Sequence, residues 1–118
     1  MKKLKKYEKT YLAAALDSEG WMSWSISPSR HKYPQIQFCN TNLDFVKKVA
    51  NLLDSTNFSE RNRKGSLGKK TCYCVSLNKG KEVLNLLKQI EPYLIVKKER
   101  ANLLLSILRK RFKNGKKK

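Results

Sequence analysis

Acidic residues are scarce in this chain. Nine Asp and Glu stand against 27 Lys and Arg in 118 residues, a formal net charge of +18. A field of that sign and size points to polyanionic partners, either nucleic acid or an anionic membrane surface. No apolar run approaches the roughly 18–20 residues that a spanning helix needs, which argues against membrane insertion. The basic start Met1-Lys2-Lys3-Leu4-Lys5-Lys6 is not followed by the apolar core of a signal peptide. An intracellular location is therefore expected, in the cytoplasm or in an organelle matrix (mitochondrion or chloroplast), and not a secreted one. Histidine occurs once, as His31, and cysteine three times, as Cys39, Cys72 and Cys74, so one thiol is left over from any internal pairing. Cys72 and Cys74 share a face if their segment is extended. A structural zinc site needs a second pair of ligands, which the lone His31 does not supply. Reduced, non-structural thiols are the expectation.

What is present is periodicity. At 118 residues and 40% hydrophobic content the chain suits one domain, 1–118, with one core. No linker or low-complexity segment divides it, and 113–118 reads as a basic tail. Tyr7 to Ser18 reads as a helix with Leu12, Ala13 and Leu16 apolar, stopped by Gly20. Trp21 to Ser27 alternates, with Met22, Trp24 and Ile26 on one side and Ser23, Ser25 and Ser27 on the other. Pro28-Ser29-Arg30-His31 is a turn, and Gln35 to Cys39 alternates again as an antiparallel partner. Thr41-Asn42 offers an N-cap, with Asp44 as a box-like partner of Thr41, ahead of a helix carrying Leu43, Val46, Val49, Ala50 and Leu53. Phe58 to Arg63 and Thr71 to Leu77 form the next strand pair around loop 64–70. A third helix from Lys81 buries Val83, Leu84, Leu86, Leu87 and Ile90 and ends at Glu91-Pro92. A last helix, Lys98 to Phe112, carries Ala101, Leu104, Leu105 and Leu108. The order gives an α+β domain with a four-stranded sheet.

One face of that sheet is polar. Ser23, Ser25, Ser27, Gln35, Gln37, Arg61 and Arg63 fall on it, and Ser29, Arg30 and Lys70 extend it. A two-stranded ribbon fits the DNA major groove, where Arg suits guanine, Gln suits adenine and Ser serves either. A solvated sheet face has the same polarity, but the charge excess and Arg61-Asn62-Arg63 on one strand bring a DNA-reading surface level with it. Lys69, Lys70, Arg109, Lys110, Arg111 and the tail are candidates for phosphate neutralisation.

The most informative stretch is Tyr11-Leu12-Ala13-Ala14-Ala15-Leu16-Asp17-Ser18-Glu19-Gly20. A small-residue helical run ends in two acids and a glycine, directly before the first strand. It resembles the signature of the LAGLIDADG homing endonucleases, matching it at Leu12, Ala13, Asp17 and Gly20. Glu19 stands where the family has its final Asp, and Ala14 where it has Gly. The segment Pro92-Tyr93-Leu94-Ile95-Val96-Lys97-Lys98-Glu99-Arg100-Ala101 also looks like the family's entry to its late helix. The likeness runs from Tyr7 to Phe112.

The resemblance implies an αββαββα fold whose four-stranded antiparallel sheet is saddle-shaped and sits on DNA. It implies site-specific, metal-dependent cleavage of double-stranded DNA leaving 3′ overhangs. It also implies a homodimer of single-motif chains paired through Leu12, Ala14 and Ser18, with a long pseudo-palindromic target. Glu19 and the main-chain carbonyl of Ser18 become the metal ligands, with Mg²⁺ as the ion and Mn²⁺ or Ca²⁺ able to replace it in binding. Asp17 becomes structural. Lys97, with Lys98 next, becomes the lysine near the scissile phosphate, and Asn40 or Asn42 the residue that orients the attacking water. Two alternatives stay open: a non-catalytic DNA-binding regulator or intron-splicing maturase on the same fold, and a basic RNA-binding protein of ribosomal type. Retention of Glu19 speaks against the former, and alternating polar strands against the latter.

Overall fold

The computed structural model describes residues 3–26, 29, 32–55, 57–62 and 71–115. Helix α1 (Lys6–Glu19) runs directly into β1 (Gly20–Ile26), which turns back as β2 (Lys32–Asn40). Helix α2 (Leu43–Leu53), strands β3 (Phe58–Asn62) and β4 (Thr71–Leu77), and α3 (Gly80–Ile90) follow. A 3₁₀ turn (Glu91–Tyr93) leads to α4 (Lys98–Gly115). The fold is α+β, with one open antiparallel sheet in the order β1-β2-β4-β3. The two hairpins therefore join through β2 and β4.

Period-two alternation divides the sheet. Met22, Ile36, Phe38, Val75 and Leu77 enter a single core cluster with Leu12, Leu16, Val46, Val49, Leu86, Leu87, Ile90, Leu104 and Leu108 from the four helices. All the helices thus cover one face, which leaves the other open. Burial of this one cluster supplies the main folding drive, each fully buried Leu, Val, Ile or Phe being worth about 1.5–3 kcal/mol.

Several boundaries differ from the sequence reading, for local reasons. β2 begins at Lys32, not Gln35, although Pro34 lies inside it. β4 pairs only with Ile36 to Asn40, so one side of β2 has no partner strand at Pro34, the edge setting in which a strand proline is found. The α2 cap is Asn42, whose Oδ1 accepts the Phe45 N–H at 3.0 Å, in place of a Thr41–Asp44 box. Helix α4 reaches Gly115, three residues into the expected tail.

The cysteines bring a correction. The register sets Cys39 directly opposite Cys74, their Cα atoms 4.2 Å apart, and the structure joins them by a disulfide. Cys72 is the free thiol. The two partners lie 35 residues apart in the chain, so only strand pairing could reveal the match.

Candidate acid site and nucleic-acid interface

Everything about the candidate site starts at the C-terminal end of α1. The last intrahelical bond runs from the Gly20 N–H to the Leu16 carbonyl, leaving the carbonyls of Asp17, Ser18 and Glu19 to find partners elsewhere. The helix places no basic residue in its last turn, so its partial negative end attracts a cation from outside. Lys97 supplies one. Its ammonium donates to the carbonyl oxygens of Leu16 and Asp17, both at 2.8 Å. An ammonium has three N–H donors, so one remains beyond these two.

Asp17 is turned to structure. Its carboxylate accepts the N–H groups of Ile95 (2.8 Å), Val96 (3.1 Å) and Lys97 (2.9 Å), which tethers the lead-in of α4 to α1. Burial alone would raise this carboxyl. The N–H groups of Ile95, Lys97 and Val96, helped by the charge of Lys97, outweigh burial and hold it below the ordinary carboxylate range.

Glu19, two residues on, is exposed. Its side chain makes no hydrogen bond or ion pair among the described residues. The motif thus sets one acid to hold the scaffold and leaves the other open to solvent. Gly20 is required by space and not by conformation: its φ is −109°. A Cβ there would lie 2.6 Å from Leu16 Cδ1, 3.0 Å from Leu16 Cα and 3.2 Å from Leu16 O.

Lys98 goes elsewhere, forming an exposed ion pair with Glu91 at 3.9 Å. Only Lys97 of the two lysines lies at the acid end of α1. Asn40 and Asn42 have local duties. Asn40 Oδ1 accepts the Asn42 N–H at 2.8 Å, and Asn42 caps α2. Alternation with Ile36 and Phe38 also puts Asn40 on the helix side of the sheet.

On the open face, register pairs Ser23 with Gln35, Trp21 with Gln37, and Ser25 with Tyr33. Arg61 falls opposite Cys72. Ser29 is exposed in the β1–β2 turn. Ser27, Arg30, Arg63 and Lys70 lie outside the described residues, as does His31. Ser76 and Cys74, on the open face of the central strand β4, are buried. The middle of that face is therefore less accessible than alternation alone suggests.

Several placements add to or depart from the sequence reading. Leu12 is fully buried in its own chain's core and not on a pairing surface. The outer stripe of α1 is Tyr7, Tyr11, Ala14 and Ser18, all exposed, at the spacing that shares one helix face. Arg111 has partners within the chain: its guanidinium sits 5.0 Å from the Trp24 ring centre and donates to the Lys32 carbonyl at 3.2 Å. Finally, Arg100 donates to the Met22 carbonyl at 3.2 Å and, with Lys97, Trp21 and Ser23, lines a groove beside the acid end. The signals for Arg100 in the sequence were its place in the late-helix segment and its spacing, three residues after Lys97.

The profile of the LAGLIDADG-like domain family matches residues 6–91, from α1 to the end of α3. The chain belongs to that family. Its fold is similar to that of the homing endonuclease I-CvuI in complex with the I-CreI target in the presence of Mg, the DNA not cleaved. That match has TM-score 0.69 and 17% identity, over 88% of this chain and 67% of that one. A Ca-containing complex of I-CvuI with its own target matches at TM-score 0.70 and 17% identity, over 90% of this chain and 70% of that one. The archaeal intron-encoded homing endonuclease I-Vdi141I, complexed with DNA, matches at TM-score 0.67 and 18% identity, over 87% and 67%. Against the LAGLIDADG meganuclease I-AabMI (TM-score 0.61, 14% identity) the chain spans 37% of the other's length. At these identities the likeness concerns the fold. No curated protein matches.

Proposed function

We propose that this chain is a homing-type endonuclease that cuts both strands of a DNA duplex as a homodimer. The observation that carries the reading is the division of labour at the end of α1. Asp17 is tied to the lead-in of α4 by three backbone hydrogen bonds and the Lys97 ammonium sits on the Leu16 and Asp17 carbonyls, while Glu19, two residues on, is exposed and has no partner among the described residues. Hydrolysis of a phosphodiester needs a metal-activated water and stabilisation of growing negative charge. Glu19 and the Ser18 carbonyl offer hard oxygen donors that suit Mg²⁺, with Mn²⁺ or Ca²⁺ as substitutes. When bound, such an ion would supply polarisation of the phosphate and of a water there, with Glu19 and the Ser18 carbonyl as the groups that would hold it. Lys97 holds its remaining N–H toward the scissile phosphate, and Arg100 adds a second positive charge across the groove.

One carboxylate per chain makes a thin site. The exposed stripe Tyr7, Tyr11, Ala14 and Ser18 is narrow where Ala14 and Ser18 lie, which lets a second α1 approach closely. A two-fold axis along it brings two Glu19 side chains together and aligns two open sheet faces on one duplex. The target is then long and pseudo-palindromic. Ser23, Gln35 and Gln37 meet base edges. DNA complexes of I-CvuI and I-Vdi141I on the same fold support this reading.

The test is a randomised plasmid library incubated with the protein and Mg²⁺, followed by mapping of double-strand ends. Discrete breaks with 3′ overhangs, lost in Glu19→Gln, are expected. Tight sequence-specific binding without breaks would replace this reading with that of a non-catalytic regulator or maturase.

A further inference from the structure

Cys72 and Cys74 share a strand face, and the β2–β4 register adds Cys39 directly across from Cys74. All three sulfurs lie within 4.8 Å of one another. They occupy the open face of the sheet, since their neighbours Phe38 and Val75 point into the core. Cys74 is buried, whereas Cys39 and Cys72 are partly exposed, so the cluster opens to solvent on their side. A cysteine serving only as a small apolar filler has little to gain at two half-exposed positions. We propose that the reduced trio is a thiophilic metal site that takes one zinc-type ion through three thiolates. The Cys39–Cys74 disulfide is its closed, metal-free state.

Distances support the assignment. Zinc–sulfur bonds of about 2.3 Å put three thiolates around one ion at about 3.8–4.0 Å from each other. That separation falls within the span the sulfurs already occupy. Paired strands, and not a loop, set the direction of each side chain, which pre-organises the ligands. A divalent ion with three thiolates carries net negative charge, which a chain of formal charge +18 offsets. A fourth coordination position stays open toward solvent, on the face proposed to meet DNA.

Opening the site takes two electrons and two protons. A low-molecular-weight thiol attacks one sulfur of the disulfide, and a second equivalent resolves the mixed disulfide. Cys39 and Cys74 leave as thiols, and the reductant becomes its own disulfide. Metal binding then releases the thiol protons. The ligands are sulfur atoms and not the Glu19 carboxylate, so the site stands whether or not the chain cuts DNA.

The experiment uses the full chain, reduced with a phosphine under nitrogen, with three free thiols confirmed by titration. Co²⁺ is added as the spectroscopic probe and then displaced with Zn²⁺. One cobalt per chain is expected, with thiolate-to-cobalt charge-transfer absorption that zinc bleaches. Cys72→Ser and Cys39→Ser should each weaken binding by more than the roughly 10–100-fold that loss of an outer-sphere partner costs. Their circular dichroism should match the parent's. Absence of the charge-transfer band in the reduced parent overturns the proposal, as does undiminished binding in either folded variant.

Discussion

Lys97 and Asp17 clasp each other twice across the α1–α4 junction. The Lys97 backbone N–H donates to Asp17 Oδ1 at 2.9 Å, and the Lys97 ammonium donates to the Asp17 carbonyl oxygen at 2.8 Å. One residue's backbone and side chain thus hold the other's side chain and backbone. The clasp holds the ammonium at the C-terminal end of α1, the end that carries Glu19.

Lys97→Met should therefore have two effects. Removing the ammonium strips a donor from two carbonyls and a counter-charge from the α1 end, lowering stability by about 1–2 kcal/mol. It should also slow single-turnover DNA cleavage by roughly 10²–10³-fold. Lys98→Met removes only an exposed 3.9 Å ion pair and should change stability by under about 0.5 kcal/mol. Urea unfolding and cleavage rates check both. Slower cutting by the Lys98 variant than by the Lys97 variant would reverse the assignment.

Glu19→Gln should separate fold from chemistry. The side chain is exposed without a partner among the described residues, so stability should stay within about 0.5 kcal/mol of the parent. DNA affinity should survive. Cleavage should fall by at least roughly 10³-fold, because metal polarisation supplies several kcal/mol. Unaltered cutting would remove Glu19 from the site.

Asp17→Asn should show a pH signature. The folded carboxyl is held below its ordinary value of 3.8, so the stability it confers is complete above that pH. It fades as pH falls through the lower folded value. At neutral pH the variant should be about 1–3 kcal/mol less stable than the parent, and the gap should narrow in acid. A constant gap down to acid unfolding would show that the charge of Asp17 is not what stabilises the junction.

Gly20→Ala should cost about 1–3 kcal/mol by overpacking, since the new Cβ meets Leu16 backbone as well as its side chain. Chemical denaturation of the variant measures this. A neutral result would mean that α1 and β1 can separate at their joint.

Ala14→Arg probes the pairing stripe. Ala14 is exposed, so the protomer should fold normally. Sedimentation should show a monomer, and double-strand breaks should disappear. A dimer that persists would move the interface off α1.

Repetitive features were readable from the linear chain. The alternation Met22-Ser23-Trp24-Ser25 marks a strand with one wet face. Val83, Leu86, Leu87 and Ile90 mark a buried helix stripe. Both patterns arise because backbone geometry repeats every 2 or 3.6 residues and burial follows it. The Asp17-Ser18-Glu19-Gly20 ending was visible for the same reason: its logic is local, a helix stopping where a strand must begin. Resemblance singled out Lys97, but nothing around it indicated which carbonyls its ammonium would meet.

The rest depended on pieces of chain that meet only after folding. Cys39 faces Cys74 because β2 and β4, and not β2 and β3, lie side by side in the sheet. Leu12 is inside and Ala14 outside because the helix is rotated by what it packs against, although both belong to one small-residue run. Arg111 stacks on Trp24 across most of the sequence. Periodicity reports which side of an element is apolar. It carries no information about which other element will cover that side, because that choice is settled by the shape and packing of the whole core.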